Sequence, residues 1–352
     1  MDLNNFILSL LIVVFGLIFY KFVIARMNAY YPKLLVDDQF KKPQAFHSKV
    51  ISITGGMGIY FSLLIVILSL YILEDIFFVQ YLSFCTLFFL LGLMDDLKLD
   101  IQPKIRLILM ILFLILLVKF NNFYIYKTGI GILNDWIANS NLFSLIFVCL
   151  CFLFIINGAN LIDGYNGLLG FHSTIILVNL FLINYFNENY NLTILLLYTI
   201  LILLIFLTFN FPKAKVFLGD SGSYLLGVFI AFSAIQTSIA NPQISPFYFC
   251  ILMFYLFFEV FFSFFRKLIK EKKSPMLPDE KHLHMLLYKM LLKKNTDKIK
   301  SNYYVSIFIN TAYLILIIPA IFMMENGEFC KYYSLIFFII YIFSYKKMSN
   351  KL

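Results

Sequence analysis

Four polar clusters interrupt an otherwise apolar chain, and each holds residue types that can do chemistry. In GLMDDLKLD, Asp95, Asp96 and Asp100 close an apolar run. Adjacent carboxylates at a helix C-terminus repel each other and oppose the helix dipole. A bound cation, or Lys98, Lys104 or Arg106 nearby, relieves both penalties. Neighbouring helical residues point about 100° apart, which gives the two acids different tasks. The bland alternative is a solvated helix end.

The second cluster, NGANLIDGYNGLLG, crowds Asn157, Asn160, Asp163, Asn166 and four glycines into one short stretch. Glycines let the backbone approach a ligand. The amides and carboxylate supply donors and acceptors for a metal, a phosphate or a base. A plain interhelical turn needs fewer polar groups. The third, NFPKAKVFLGDSGSY, carries Lys213, Lys215, Asp220, Ser221 and Gly222. Asp220 and Ser221 are good N-cap types, and a helix N-terminus beside two lysines attracts phosphate. Asp220 is therefore either a cap or a Mg²⁺ ligand facing a diphosphate.

The fourth, FFRKLIKEKKSPMLPDEKHLHMLLYKMLLKK, combines Arg266, several lysines, Asp279, His282 and His284. Its basic and aliphatic residues after Pro278 suit an amphipathic helix on an anionic membrane face. The histidine pair fits a metal, a phosphate or plain solvent equally well. An earlier stretch, KKPQAFHSKVISITGGMG, adds Lys41, Lys42, His47, Lys49, Gly55 and Gly56. Read blandly, it is a basic flank followed by a close helix contact.

The elements that position these clusters follow from composition. The 352 residues are 62% apolar, 19% aromatic and only 13% charged. A soluble domain is about one quarter charged, so this chain needs lipid as its solvent. Disordered, coiled-coil and ordinary cytosolic classes are excluded. Eleven apolar runs are long enough to span, at roughly 4–25, 50–73, 76–94, 105–121, 142–158, 168–186, 191–209, 221–240, 246–265, 303–323 and 330–345. The first lacks a small-residue cleavage site and reads as a retained anchor.

The net charge is +9, and its placement gives sidedness. With the N-terminus outside, the inner segments hold 25 of the 28 Lys and Arg residues, leaving Lys119, Lys127 and Lys331 outside. Basic residues favour the cytoplasmic side. The C-terminus is then cytoplasmic, and all four clusters face the cytosol. The expectation is one all-α polytopic membrane domain over 1–352, with active-site loops at about 26–56, 95–106, 157–170, 210–223 and 266–302. The five cysteines form no paired set and read as small apolar residues. No P-loop, GxGxxG, HExxH or GxSxG motif occurs, and nothing points to nucleic acid.

Acids, phosphate-attracting helix ends and cations gathered where cytosol meets lipid suit the joining of a soluble phosphorylated donor to a lipid phosphate. Phosphoryl transfer mainly needs alignment and charge neutralisation. The alternative class is a transporter, whose site lies nearer mid-bilayer.

The motifs MDD, NxxNLIDGxNGLxG, NFPxAKVFLGDSGS and PDxxHLH, in this order from about Asp38 to His284, resemble those of the polyprenyl-phosphate N-acetylhexosamine-1-phosphate transferases, the WecA/MraY superfamily or glycosyltransferase family 4. The resemblance implies transfer of an N-acetylhexosamine-1-phosphate from a UDP-sugar to undecaprenyl phosphate, releasing UMP, at the bacterial inner membrane. It implies Mg²⁺ as cofactor, with Mn²⁺ as a substitute. Asp95 and Asp96 match the acidic pair near the lipid phosphate, and Asp220, with Asp95, the metal site. Asn160 and Asp163 match residues lining the diphosphate cleft, with Asp163 counted alongside the acidic pair as catalytic. Asn210 and Phe217 match positions that hold uracil. Arg266, His282 and His284 match the basic loop at the donor sugar and phosphates, and His47 with Gly55–Gly56 the first inner loop. Asn166, Lys104 and Arg106 join the substrate-binding set.

This chain departs from the family pattern in three places. Met285 ends HLHM where relatives carry a histidine. KVISIT replaces the prolines and arginine usual before the glycine pair. Asn166 stands where many relatives have Asp. The three-histidine run of the pentapeptide-handling branch is missing, which favours a simple UDP-N-acetylhexosamine, first UDP-GlcNAc. A phospho-MurNAc-pentapeptide transferase is the runner-up. The downstream glycan (lipopolysaccharide among the options) and homodimerisation are left open by the sequence.

Overall fold

The structure, a computed structural model, describes residues 3–30, 35–37, 50–99, 101–275, 279–294 and 297–352. It is almost entirely helical. In chain order come α1 (Leu3–Tyr30), β1 (Val36–Asp37), β2 (Ile51–Ser52), α2 (Gly55–Glu74), α3 (Val79–Asp96), α4 (Pro103–Asn121), α5 (Gly131–Asn139) and α6 (Asn141–Ile162). Then follow α7 (Leu168–Phe186), α8 (Tyr190–Asn210), α9 (Gly219–Ala240), α10 (Pro246–Leu252), α11 (Phe254–Phe265), a π-helical turn (Arg266–Lys270), α12 (Leu283–Lys294), α13 (Lys298–Phe322) and α14 (Gly327–Ser349).

A helix rises 1.5 Å per residue, so about 20 apolar residues cross the hydrocarbon. Among the described residues nine helices are long and apolar enough: α1, α2, α3, α6, α7, α8, α9, α13 and α14. The helix pair α10 and α11 makes a tenth if taken as one span, bent by 75°. The chain is thus an all-α polytopic membrane protein with nine or ten such spans. The eleventh expected span, 105–121, is α4. Lys104, Arg106 and Lys119 at its two ends leave too short an uncharged stretch for it to qualify.

Helix α9 is the axis of the bundle. Of its apolar window 72% is buried, against 22% for the peripheral α14. It packs most extensively on α3 and α6, then on α2 and α7. Small residues permit the close approach: a Cβ at Gly56 of α2 would stand 2.3 Å from the Gly222 nitrogen of α9. The Gly55–Gly56 pair is therefore a helix contact, and its amides donate to the Phe217 and Leu218 carbonyls at 2.9 and 2.8 Å. Aromatic side chains fill the space between α3 and α9, with Tyr81 edge-on to Phe232. The short β1–β2 hairpin pairs Val36 with Ser52, and Ser52 bridges in turn to Val216.

Candidate active site

The C-terminus of α3 meets the N-terminus of α9. Both oxygens of the Asp96 carboxylate accept backbone hydrogen bonds there, from Asp220 N–H at 2.8 Å and Ser221 N–H at 3.0 Å. Asp96 thus caps a helix 124 residues further along the chain, satisfying donors that every helix leaves orphaned at its start. The cap expected from Asp220 or Ser221 is not used: the residue before α9 is Leu218, with no side-chain cap of its own. Gly219 makes the fit, at φ +79° and with the Asp96 carboxylate packed where a Cβ would stand. Relieved of capping, the Asp220 side chain faces the site.

Arg106 of α4 joins the acids. Its Nη1 donates to Asp95 Oδ2 at 2.5 Å and lies 3.4 Å from Asp220 Oδ2. Its guanidinium also sits over the Tyr224 ring. The other Asp220 oxygen accepts from Asn160 Nδ2 at 2.8 Å, and the same amide reaches Ser223 Oγ at 3.0 Å. So Asp95, Arg106, Asp220 and Asn160 form one hydrogen-bonded chain across α3, α4, α9 and α6. The two adjacent aspartates do take different tasks, Asp96 binding backbone and Asp95 an arginine. Asp163, just past α6, is half-buried, and among the described residues no donor faces its carboxylate. Burial first, then the nearby charges of Asp220 and Asp96, push it well above the usual carboxylate range.

Among the described residues no three His, Cys, Asp or Glu side chains converge as a closed metal cage. A Mg²⁺ ion does not require one, because it keeps waters and takes one or two carboxylates plus substrate phosphates. The oxygen donors of Asp220 and Asp163, both on the cavity wall, fit that requirement. Asp95 would be the less direct ligand, being committed to Arg106.

Two loops are pinned against each other beside the acids. Asn210 Oδ1 accepts from Gly167 N–H at 2.6 Å while its Nδ2 donates to Val216 O at 2.9 Å. Asn166 Nδ2 donates to Pro212 O at 2.9 Å, and its backbone is held by Asn302 and Ser306 of α13. Both asparagines line the cavity, but these bonds also make them the frame of the two loops. Phe217 lines the cavity with its N–H fixed to Ser52 O at 2.7 Å.

The basic loop is only partly turned inward. His282 lines the cavity together with Asp279 and Lys267. Arg266 and His284 do not. Arg266 is buried against Asp279 and, at 2.8 Å, Glu271. His284 is fully buried, with Nδ1 3.1 Å from Tyr255 Oη and its ring stacked on His282 at 5.5 Å. Burial holds His284 down at about 3, so it is neutral. Lys104 is exposed beside the cavity rather than in its wall. His47 lies outside the described residues. Sequence reasoning missed Glu259, 1% exposed in the aromatic helix α11. A lone carboxylate inside a span is itself a signal of function.

One cavity of about 1700 Å³ unites these groups. Its polar lining includes Asp95, Asp163, Asp220, Asn160, Lys98 and Lys213. Its apolar lining, from α4, α6 and α11, includes Met110, Leu150, Leu153, Phe154, Phe261 and Phe264. Along α6 the wall runs from Asn160 back to Leu150, about 15 Å of helix rise toward the span's middle. Leu150, Phe261 and Phe264 are also exposed. A charged chamber thus continues into an exposed apolar groove.

A family model described as Glycosyl transferase family 4 matches residues 78–238, which covers the acid pair, the Asn/Asp loop and Asp220. The chain is 30% identical over 250 residues to an undecaprenyl-phosphate alpha-N-acetylglucosaminyl 1-phosphate transferase of Thermotoga maritima, covering 71% of this chain and 72% of that one. It is 26% identical over 248 residues to the protein of the same description from Escherichia coli O157:H7, covering 68% and 66%. It is also 39% identical over 151 residues to a phospho-N-acetylmuramoyl-pentapeptide-transferase of Dictyoglomus turgidum, covering 41% of this chain and 48% of that one.

Proposed function

The chain belongs to glycosyl transferase family 4, and from that premise we propose that it moves an N-acetylhexosamine-1-phosphate, first GlcNAc-1-phosphate, from a UDP-sugar to undecaprenyl phosphate and releases UMP. The observation that carries this reading is one cavity, polar and acid-lined at one end and apolar and exposed at the other. A soluble diphosphate and a lipid phosphate need those two environments within reach of each other.

In this reading the lipid tail lies along Leu150, Leu153, Phe154 and Phe261, and its phosphate reaches the acidic end. That phosphate is already largely anionic at neutral pH, its second pKa being about 6, so the site needs positioning more than a strong base. Lys98, Lys213, Lys215 and Lys267 line the cavity and offset the charge of donor and acceptor phosphates. Asp220 and Asp163 would hold Mg²⁺, which would supply Lewis-acid neutralisation of the diphosphate. Asp95 keeps Arg106 oriented toward the reacting phosphates, and Asp96 fixes the helix end that presents Asp220. Phe217 offers its ring to the uracil, and His282 faces the donor. The alternation of basic segments supports a chamber on the cytoplasmic side of a bacterial inner membrane.

The 39% identity to a pentapeptide transferase over part of the chain supports a second donor, a UDP-MurNAc-pentapeptide. Purified protein is incubated with Mg²⁺, undecaprenyl phosphate and a panel of UDP-sugars, and the lipid product is weighed by mass spectrometry. UMP release with a lipid-diphosphate-N-acetylhexosamine is expected. No UMP with any donor rejects the reading, and a pentapeptide product selects the second. An active Asp220→Ala variant rejects the metal role.

A further inference from the structure

We propose that Glu259 is a positioning residue for the transfer, acting through His282 and anchored by Tyr341 of the last span. The inference rests on the functional reading above, in which His282 faces the donor.

Glu259 sits in FYLFFEVFFSFF, the sequence of α11, and is 1% exposed. A carboxylate there is costly unless its lone pairs are satisfied. Three donors satisfy them. His282 Nδ1 lies 3.0 Å and Leu283 N 3.1 Å from Oε1, and Tyr341 Oη lies 2.6 Å from Oε2. A carboxylate that already accepts a backbone N–H and a phenol O–H is an acceptor for the imidazole as well, so His282 carries its proton on Nδ1. Nε2 is then the ring nitrogen directed away from Glu259, 3.8 Å from Asp279 on the cavity wall. A carboxylate behind a histidine that fixes its ring and tautomer is a recurrent device for aiming the opposite nitrogen.

Helix α11 follows a 75° bend, and its Phe262 packs edge-on to Tyr341 and Tyr345 of α14. The parallel stack of His284 on His282, 4° between planes, closes the other face of the ring. His282 is therefore held by hydrogen bond, by stacking and, through Glu259 and Tyr341, by the peripheral helix α14.

The test is a double-mutant cycle in the full-length protein in lipid nanodiscs. Glu259→Gln keeps the volume and one oxygen for Leu283 N–H, the same Oε1 that faces His282 Nδ1, so it removes the charge behind the imidazole and lets the amide turn its NH₂ toward the ring; a melting temperature within a few degrees of the parent confirms that the fold survives. The expected result is a fall of about 10–100-fold in kcat/KM for the UDP-sugar, with the KM for undecaprenyl phosphate unchanged. Tyr341→Phe, which removes one donor, gives a smaller loss of the same kind. In a His282→Asn background, Glu259→Gln has no further effect, since residues acting as a unit are not additive. Where turnover of the double variant is below detection, the UDP-sugar-induced rise in melting temperature closes the same cycle. A Glu259→Gln enzyme as active as the parent overturns the proposal. So does an equal loss in both backgrounds, or a loss confined to the acceptor KM. A parent that releases no UMP rejects the functional reading instead.

Discussion

Asp96 and Asp220 meet through backbone: the Asp96 carboxylate receives the Asp220 N–H at 2.8 Å. With the Ser221 N–H on its second oxygen, Asp96 fastens the end of α3 to the start of α9. Asp96→Ala is expected to leave two buried donors unpaired and to cost about 2–4 kcal/mol, at about 1–2 per lost partner. Asp95→Asn, which leaves the cap intact, is expected to cost under about 1 kcal/mol. Thermal unfolding in detergent distinguishes the two, and equal losses would contradict the division of labour between the pair.

Gly219 stands at φ +79° with the Asp96 carboxylate where a side chain would go, an ideal Cβ falling 2.7 Å from Oδ2. Gly219→Ala meets both the left-handed backbone penalty and that contact. The expected cost is about 1–3 kcal/mol, with Asp220 displaced and activity reduced more than stability alone explains. Gly131→Ala, with nothing within 4 Å, is the matched control, and similar behaviour of the two variants would refute the argument.

The class of fold was legible because hydropathy and length are local properties, and the spans fell close to where apolar runs predict them. What was illegible is tertiary. The cap on α9 comes from Asp96, far away in sequence, so residue type alone left Asp220 as either a cap or a metal ligand. The break at Met253 between α10 and α11 carries neither Pro nor Gly, and the run read as one straight span. Arg266 and His284 sit in the basic loop as expected, yet their side chains turn into the wall, which residue type cannot reveal. Glu259 was readable as a lone acid in an aromatic span; its partners, His282 and Tyr341, were not.

His284 makes stability depend on pH. Its ring is buried and neutral, and its pKa is lowered to about 3 from an ordinary 6.5. Above about pH 6.5 neither folded nor unfolded chain protonates it, so it contributes nothing. As pH falls through 6.5 toward 3, the unfolded chain takes up a proton that the folded chain resists, and stability falls. One such group contributes at most about 1.4 kcal/mol per pH unit. Replacing it by His284→Asn is expected to flatten the decline between pH 6.5 and 5, read as the difference in unfolding free energy from the parent. Parallel pH profiles would show that His284 is not the titrating group.

Arg106 ties the acids to each other and sets their response to divalent ions. Its Nη1 lies 2.5 Å from Asp95 Oδ2 and 3.4 Å from Asp220 Oδ2, so one guanidinium offsets two carboxylates. Arg106→Gln removes that charge and leaves a shorter, neutral amide. The two acids then repel each other, and a divalent cation becomes the available way to relieve them. Mn²⁺ binding to the substrate-free protein, measured by electron paramagnetic resonance, is expected to tighten several-fold. Turnover is expected to fall in the same variant by about 100-fold, the usual scale for removing a donor aimed at developing charge. The two changes point in opposite directions, so a general loss of fold cannot produce both. Arg106→Lys, a point charge without the planar fork, is expected to keep parental Mn²⁺ affinity with intermediate turnover. Weaker Mn²⁺ binding in Arg106→Gln would show instead that the guanidinium supports the metal carboxylates rather than competing for them.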